Sequence, residues 1–206
     1  MTVIAGPLSR FFAKDEDDAV RLRAGVEVWR QDLVSSVAEK VGTQLEWDES
    51  SDTQFESDLG ESGWIALRMF AFYAERSDLD WPDTVPALPE FDTVWREAAE
   101  DKFSKSLYGQ LLACEMWLPG AFPVTIRAPR PDGETSEIGS IQILADQLLW
   151  LNQRTFQADA EEIAEWQVMP ADAGGSFLKA ARRGFAALSR AVAVAQKAAV
   201  PLVLRQ

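Results

Sequence analysis

Residues 64–74 read WIALRMFAFYA, and Arg68 is the only charged side chain among them. A helix built from this run is apolar around its whole circumference, whereas a surface helix is apolar along one stripe. The run is too long for most strands and too short to span a bilayer. It therefore predicts a buried central helix, with Ser62 as its N-cap. We expect the Arg68 guanidinium to find a carboxylate among the acids that precede this helix.

Amphipathic patterns on both sides of this run predict further helices. Residues 15–41 begin with acids, which favour a helix N-terminus, and repeat apolar residues three or four apart. Comparable signals predict helices that begin near Asp92, Ala158, Ser140 and Ser176. Short strands are predicted near 44–47, 114–118, 122–127 and 200–205, the last as an edge strand because Pro201 opens it. The fold class that we expect is α+β, predominantly helical with a small mixed or antiparallel sheet.

The proline content of residues 78–91 bears on domain organisation. Pro82, Pro86 and Pro89 rule out a regular helix or a central strand there. We expect residues 1–206 to form a single compact domain, with this proline-rich connector as the candidate internal boundary.

Negative charge is concentrated in the middle of the chain. The formal net charge is −13, and residues 44–101 carry 16 acidic and 3 basic side chains. After Asp172 every charged residue is basic. Two interpretations follow: the basic C-terminal helix docks onto the acidic middle within the molecule, or the acidic middle receives a positively charged partner.

The absence of histidine excludes several chemistries. With 0 His and 1 Cys, the chain alone cannot build a Ser-His-Asp or Cys-His nucleophile, a thiolate cluster or a His-ligated metal centre. The acidic runs at 14–18 and 48–52 lack the spacing of a calcium loop. We therefore predict a protein that is not an enzyme, with no cofactor, no metal site and no catalytic residue. Cys114 is predicted to be a buried thiol.

Composition also limits the location and the partners of the protein. The first residues lack the pattern of a secretory signal, and no uncharged apolar run is long enough for a membrane span. We expect a cytoplasmic protein. Its negative charge argues against nucleic acid and anionic membranes as partners.

The acidic segment, defined here as residues 45–62, contains no Lys or Arg. Trp47 and Trp81 each stand beside acids, and an aromatic ring in an acidic setting suits recognition of cations. We therefore predict a partner-binding surface for a basic protein, such as a toxin that an immunity protein or antitoxin inhibits. Its predicted residues are Trp47, Asp48, Glu49, Asp52, Glu56, Asp58, Glu61, Asp80 and Trp81.

Two alternatives remain open at this point. The first is a small-molecule-binding protein or a carboxylate-based enzyme, with a Trp-lined pocket between helix 64–74 and the strands near 114–127. The second is a structural component that oligomerises through an apolar face of the C-terminal helix.

Overall fold

The computed structural model describes residues 1–41, 45–76, 80–87, 89, 92–169 and 175–205. Within these residues the strands form one six-stranded mixed sheet in the order β2-β1-β6-β3-β5-β4. Only β3 and β5 pair in parallel; the other neighbours in this sheet are antiparallel. The strands are β1 (Thr2–Ala5), β2 (Phe55–Asp58), β3 (Met116–Leu118), β4 (Ile126–Pro129), β5 (Thr135–Ser140) and β6 (Leu202–Arg205).

Helices make up most of the remaining regular structure, which confirms the α+β prediction. Asp92 and Ser140 cap α4 and α6 as predicted, each accepting backbone N–H groups of the first turn. The central helix α3 begins at Glu61 after Gly60, and not after Ser62. The helices are α1 (Leu8–Phe12), α2 (Glu16–Val41), α3 (Glu61–Tyr73), α4 (Thr93–Glu100), α5 (Gly109–Ala113), α6 (Ile141–Leu151), α7 (Ala160–Gln167) and α8 (Phe177–Ala198), with a π-helical turn at Asn152–Phe156.

The sheet separates two hydrophobic cores. Alternate residues of a strand point to opposite faces, and in β6 Leu202 and Leu204 join the core that contains α3 and α8, whereas Val203 joins the core that contains α2. We call these sides the α3/α8 side and the α2 side. The predicted apolar positions of α8, including Phe177 and Phe185, are buried on the α3/α8 side.

Helices α3 and α8 approach each other closely at two glycines. A Cβ atom added to Gly184 would lie 2.3 Å from the carbonyl oxygen of Gly63. Such a distance leaves no room for a side chain, so Gly184 is required for this crossing. Most of α3 is buried, as its all-round apolar sequence predicts.

Several strand predictions were wrong. β6 lies inside the sheet, because β1 and β3 pair with its two edges. Pro201 is tolerated because it precedes the strand, where its carbonyl accepts a hydrogen bond from the Gly6 N–H. Residues 45–47 are not a strand, and position 44 lies outside the described residues. β1 and β5 were not predicted, and neither was β2, which lies inside the acidic segment.

The proline-rich connector 78–91 is described only in part, at 80–87 and 89. Thr84 forms an isolated antiparallel bridge with Ser176, and the Asp83 carbonyl accepts from the Phe177 N–H. The described part of the connector therefore contacts the start of α8. Whether it marks an internal boundary stays a prediction. None of the described helices is both long and apolar enough to cross a bilayer.

Candidate functional site

The acidic segment folds onto the edge of the sheet. Exposure alternates along β2: Glu56 and Asp58 are exposed, whereas Phe55 and Ser57 are half-buried. β2 pairs with β1, so its carboxylates lie at the margin of the sheet. The strand thus turns part of a charged stretch into a regular row of exposed acids.

Glu49 is buried, with 3% of its surface exposed. Its carboxylate accepts hydrogen bonds from the backbone N–H groups of Leu8 (3.1 Å) and Ser9 (2.8 Å) at the start of α1, and from the Trp47 indole nitrogen. A helix N-terminus presents unpaired N–H groups and partial positive charge, which compensate a buried carboxylate. Trp47 is buried beside it on the α2 side. Glu49 and Trp47 are therefore buried beneath the acidic segment and hold it against α1.

Arg10 joins two acidic stretches that are separate in the sequence. Its Nη2 atom lies 3.3 Å from a carboxylate oxygen of Glu16 and 3.3 Å from one of Asp52. The Arg10 side chain is 23% exposed, whereas Glu16 and Asp52 are 72% and 99% exposed. The guanidinium thus lies beneath two exposed carboxylates, and its one positive charge cannot neutralise both.

We call this surface the acidic face. It combines the N-terminal acids of α2 with the first acids of the acidic segment around Arg10. Its members are Asp15, Glu16, Asp17, Asp18, Asp48 and Asp52. Sequence reasoning did not include residues 15–18 in the site, although the acidic run was visible, because nothing in the sequence indicates that Arg10 brings this run beside Asp52.

Asp48 is a fixed anion of the acidic face. The Ser50 hydroxyl and N–H both donate to its carboxylate (2.6 and 2.8 Å). These hydrogen bonds hold the pKa of Asp48 below its ordinary value, and the positive charge of Arg23 lowers it further. Asp48 is exposed and stays ionised at neutral pH.

The acids of β2 are paired with arginines from the end of the chain. Glu56 pairs with Arg205 at 3.1 Å, and Asp58 pairs with Arg183 of α8 at 3.3 Å. These contacts correspond to the intramolecular docking that the charge distribution predicts. Glu61 is exposed in the first turn of α3. Within the acidic segment, each of these two β2 acids thus has an arginine of its own, whereas Asp52 shares Arg10 with Glu16.

Asp80 and Trp81 lie apart from the acidic face. Both are exposed, and the Trp81 ring contacts Phe70 of α3 with centroids 4.5 Å apart. Phe70 belongs to the α3/α8 side, whereas Trp47 belongs to the α2 side. The structure therefore does not bring the two predicted tryptophans together.

Arg68 is held by a carbonyl and by aromatic rings. Its guanidinium donates to the Leu112 carbonyl and lies over the rings of Trp64 (5.4 Å) and Trp95 (5.3 Å). Cation–π contacts with these buried rings stabilise such a charge. Sequence reasoning expected a carboxylate of the acidic segment in this role.

A cavity of about 250 Å³ lies between α3 and residues 113–115, which precede β3, close to where the small-molecule alternative expected one. Glu61, Trp64, Arg68 and Glu115 contribute to its lining. Cys114 also borders it but is 1% exposed, and burial raises the pKa of its thiol to about 12. The thiol is thus a neutral wall atom, as predicted for a buried cysteine.

No cluster of three or more potential metal ligands occurs within the described residues. Comparison of the chain with protein-family models, with curated proteins and with solved structures found no match. The candidate site therefore has to be described from its own geometry. It is an exposed acidic face on the α2 side of the mixed sheet of an α+β protein.

Proposed function

We propose that the chain is a non-catalytic binding protein whose acidic face engages a positively charged surface of another protein. The observation that carries this proposal is the sharing of Arg10 by Glu16 and Asp52, which brings two acidic stretches together on one surface where two exposed carboxylates share one cation. A basic toxin inhibited by an immunity protein or antitoxin is the partner class that fits best, because a clustered field of one sign steers association with the opposite sign.

The state of the individual carboxylates supports this choice of surface. Asp52 and Glu16 are largely exposed, so a partner's lysine or arginine can reach them without displacing protein groups. Glu49 and Trp47 anchor the segment from below and limit its freedom before binding. A surface that is already ordered loses less conformational entropy on association.

Affinity purification from the source cells tests the proposal. The chain is immobilised at low and at high salt, and the purified product of the gene beside its own is tested in parallel. A basic protein that binds at low salt and is released at high salt supports the proposal. Capture of acidic or neutral partners alone, unaffected by salt, would contradict it.

A second candidate function rests on the cavity between α3 and residues 113–115. Its volume of about 250 Å³ and its lining by Trp64, Arg68 and two carboxylates suit a small ligand with apolar and charged parts. The volume lies below the range of about 300–1,000 Å³ that is common for ligand pockets, which ranks this function second. A fluorescence screen of small organic acids and amines against wild type and Trp64→Phe tests it. Quenching that persists in the variant would argue against the cavity.

The oligomerisation alternative has less support. The apolar residues of α8 are covered by the rest of the molecule, and the exposed large apolar residues of the described chain lie on other segments. An exposed patch on α8 is the feature that this alternative required.

A further inference from the structure

Three cations from separate segments converge at the C-terminal end of α3. Arg76 follows α3, Lys105 lies in the loop after α4, and Arg154 lies in the π-helical turn after α6. Together with Glu75 and Leu107 they line a cavity of about 330 Å³. The acidic segment ends at the N-terminus of α3, which begins at Glu61, whereas this cavity lies at the C-terminal end of α3. At a rise of 1.5 Å per residue, the two ends of α3 are roughly 20 Å apart.

Among the described residues that line the cavity, Glu75 is the one carboxylate, and it is already engaged. Glu75 accepts hydrogen bonds from the Ser106 hydroxyl (2.8 Å) and the Leu107 N–H (2.5 Å), and lies 3.7 Å from Arg76. These bonds fasten the loop that carries Lys105 against the end of α3. Glu75 therefore positions the cavity wall and compensates one charge, that of Arg76.

The other two cations lack such compensation. Within the described residues, neither Lys105 nor Arg154 forms an ion pair with a carboxylate. Both side chains are exposed. Positive charges that face one cavity repel each other, and an anion bound between them removes that cost.

The backbone that carries Arg154 is fixed in an uncommon conformation. Asn152 binds both the N–H and the carbonyl of Ala158 through its side chain, and Phe156 stacks on Phe70 with centroids 4.5 Å apart. Gln157 then ends the turn in the left-handed region at φ 51°. π-helical turns are rare and frequently occur at functional sites.

Tyr108 adds a further constraint on Arg154. The hydroxyl of this buried tyrosine faces the Arg154 guanidinium. Burial raises the pKa of Tyr108, so the phenol stays neutral and adds no negative charge beside Arg154.

We propose that Arg76, Lys105 and Arg154 form a binding site for a small phosphate-bearing anion. Guanidinium groups bind phosphate oxygens in pairs, and an ammonium group supplies a mobile third donor. The cavity volume accommodates a phosphoryl or diphosphoryl group with part of a small molecule attached. This site is independent of the acidic face, and its cations make it unsuitable for the basic partner proposed there.

Titration calorimetry at low ionic strength tests this site in the whole chain, with inorganic phosphate and pyrophosphate as probes and succinate as a dicarboxylate. We expect saturable binding of one pyrophosphate, and weaker binding of phosphate. Arg154→Ala and Lys105→Ala should each weaken pyrophosphate binding about tenfold or more, the cost of one charged hydrogen bond. Both side chains are exposed, so the variants are expected to fold, which circular dichroism checks.

Arg127→Ala is the matched control, since Arg127 is an exposed arginine of β4. It should bind pyrophosphate as wild type does. The proposal is overturned if no probe binds saturably, if Arg154→Ala binds as tightly as Arg127→Ala, or if succinate binds more tightly than pyrophosphate.

Discussion

Glu16 and Asp52 bind the same atom, Nη2 of Arg10, each at 3.3 Å. One cation therefore serves two exposed carboxylates. The Glu56–Arg205 and Asp58–Arg183 pairs show the other arrangement, in which each acid has an arginine of its own. The acidic segment therefore contains two arrangements: Glu56 and Asp58 of β2 have an arginine each, whereas Asp52 shares Arg10 with Glu16.

Glu49 should matter for stability. Glu49→Gln replaces one oxygen by an NH₂ group that faces N–H donors of Leu8, Ser9 or Trp47. We expect the free energy of unfolding to fall by about 3 kcal/mol, since hydrogen bonds to buried charged groups contribute about 1.5–3 kcal/mol each. Urea unfolding followed by tryptophan fluorescence measures it. Glu97→Gln, at an exposed site on α4, is the control; equal stability of the two variants would refute the role of Glu49.

The glycine crossing makes an asymmetric prediction. Gly184→Ala places a Cβ atom 2.3 Å from the Gly63 carbonyl oxygen, so α3 and α8 must separate. We expect the free energy of unfolding to fall by about 2 kcal/mol or more. Gly63→Ala meets its nearest atoms at an ordinary 3.5 Å and gains helix propensity of about 1 kcal/mol, so its stability should equal or exceed that of wild type. Thermal unfolding of both variants checks this order, and the reverse order would contradict the described packing.

Asp92 should make the free energy of unfolding depend on pH in the acid range. Partial burial opposes its ionisation, but the Tyr73 hydroxyl, the N–H groups of Trp95 and Val94, and Arg76 together lower the pKa of Asp92 below 3.8. A lowered pKa contributes stability that is fully present above pH 3.8 and is lost as the pH falls through the folded-state value.

Asp92→Asn isolates this charge, because Asn is also a good N-cap. At neutral pH the variant should be less stable than wild type by about 1 kcal/mol, and the difference should vanish in acid. Urea unfolding across the acid range measures both proteins. A difference that stayed constant as the pH fell would exclude ionisation of Asp92 as its cause.

Much of the helical part of the fold could be predicted from the sequence. Apolar residues repeat with a 3.6-residue period in α2, α6 and α8, and the repeat extends over more residues than a strand usually contains. The all-round apolar run identifies α3. Asp92 and Ser140 mark helix starts because their side chains accept the first N–H groups.

The strands carried weaker signals. β1 is four residues long without alternation, and β5 contains polar residues and Gly139. Pro201 suggested an edge strand for β6, but a proline that precedes a strand takes no ladder hydrogen bond away from it. Strand order depends on contacts between distant segments, which a local pattern does not contain.

The sequence was enough to predict that the candidate site is negatively charged, but not which residues belong to it. The charge count located the negative region, yet Glu49 and Trp47 turned out to be buried, because α1 supplies donors that no sequence pattern announces. Residues 15–18 belong to the site because Arg10 forms ion pairs with both Glu16 and Asp52, which are far apart in the sequence. Trp81 and Trp47 lie apart because Trp81 contacts Phe70 on the α3/α8 side, whereas Trp47 is buried on the α2 side of the sheet.

The association rate constant with the proposed basic partner, once affinity purification has supplied it, tests the acidic face most directly. Stopped-flow mixing compares wild type with a variant in which Asp15, Asp17, Asp48 and Asp52 become Asn. The matched control has Glu97, Glu100, Asp101 and Glu161 replaced by Gln or Asn, at exposed positions of the α3/α8 side, and has the same net charge as the variant.

We predict that the acidic-face variant associates about tenfold more slowly than wild type at low salt, and that the control stays much closer to wild type. The difference should shrink as salt screens the charges. Equal association rates for the acidic-face variant and the control would contradict the assignment of partner binding to the surface around Arg10.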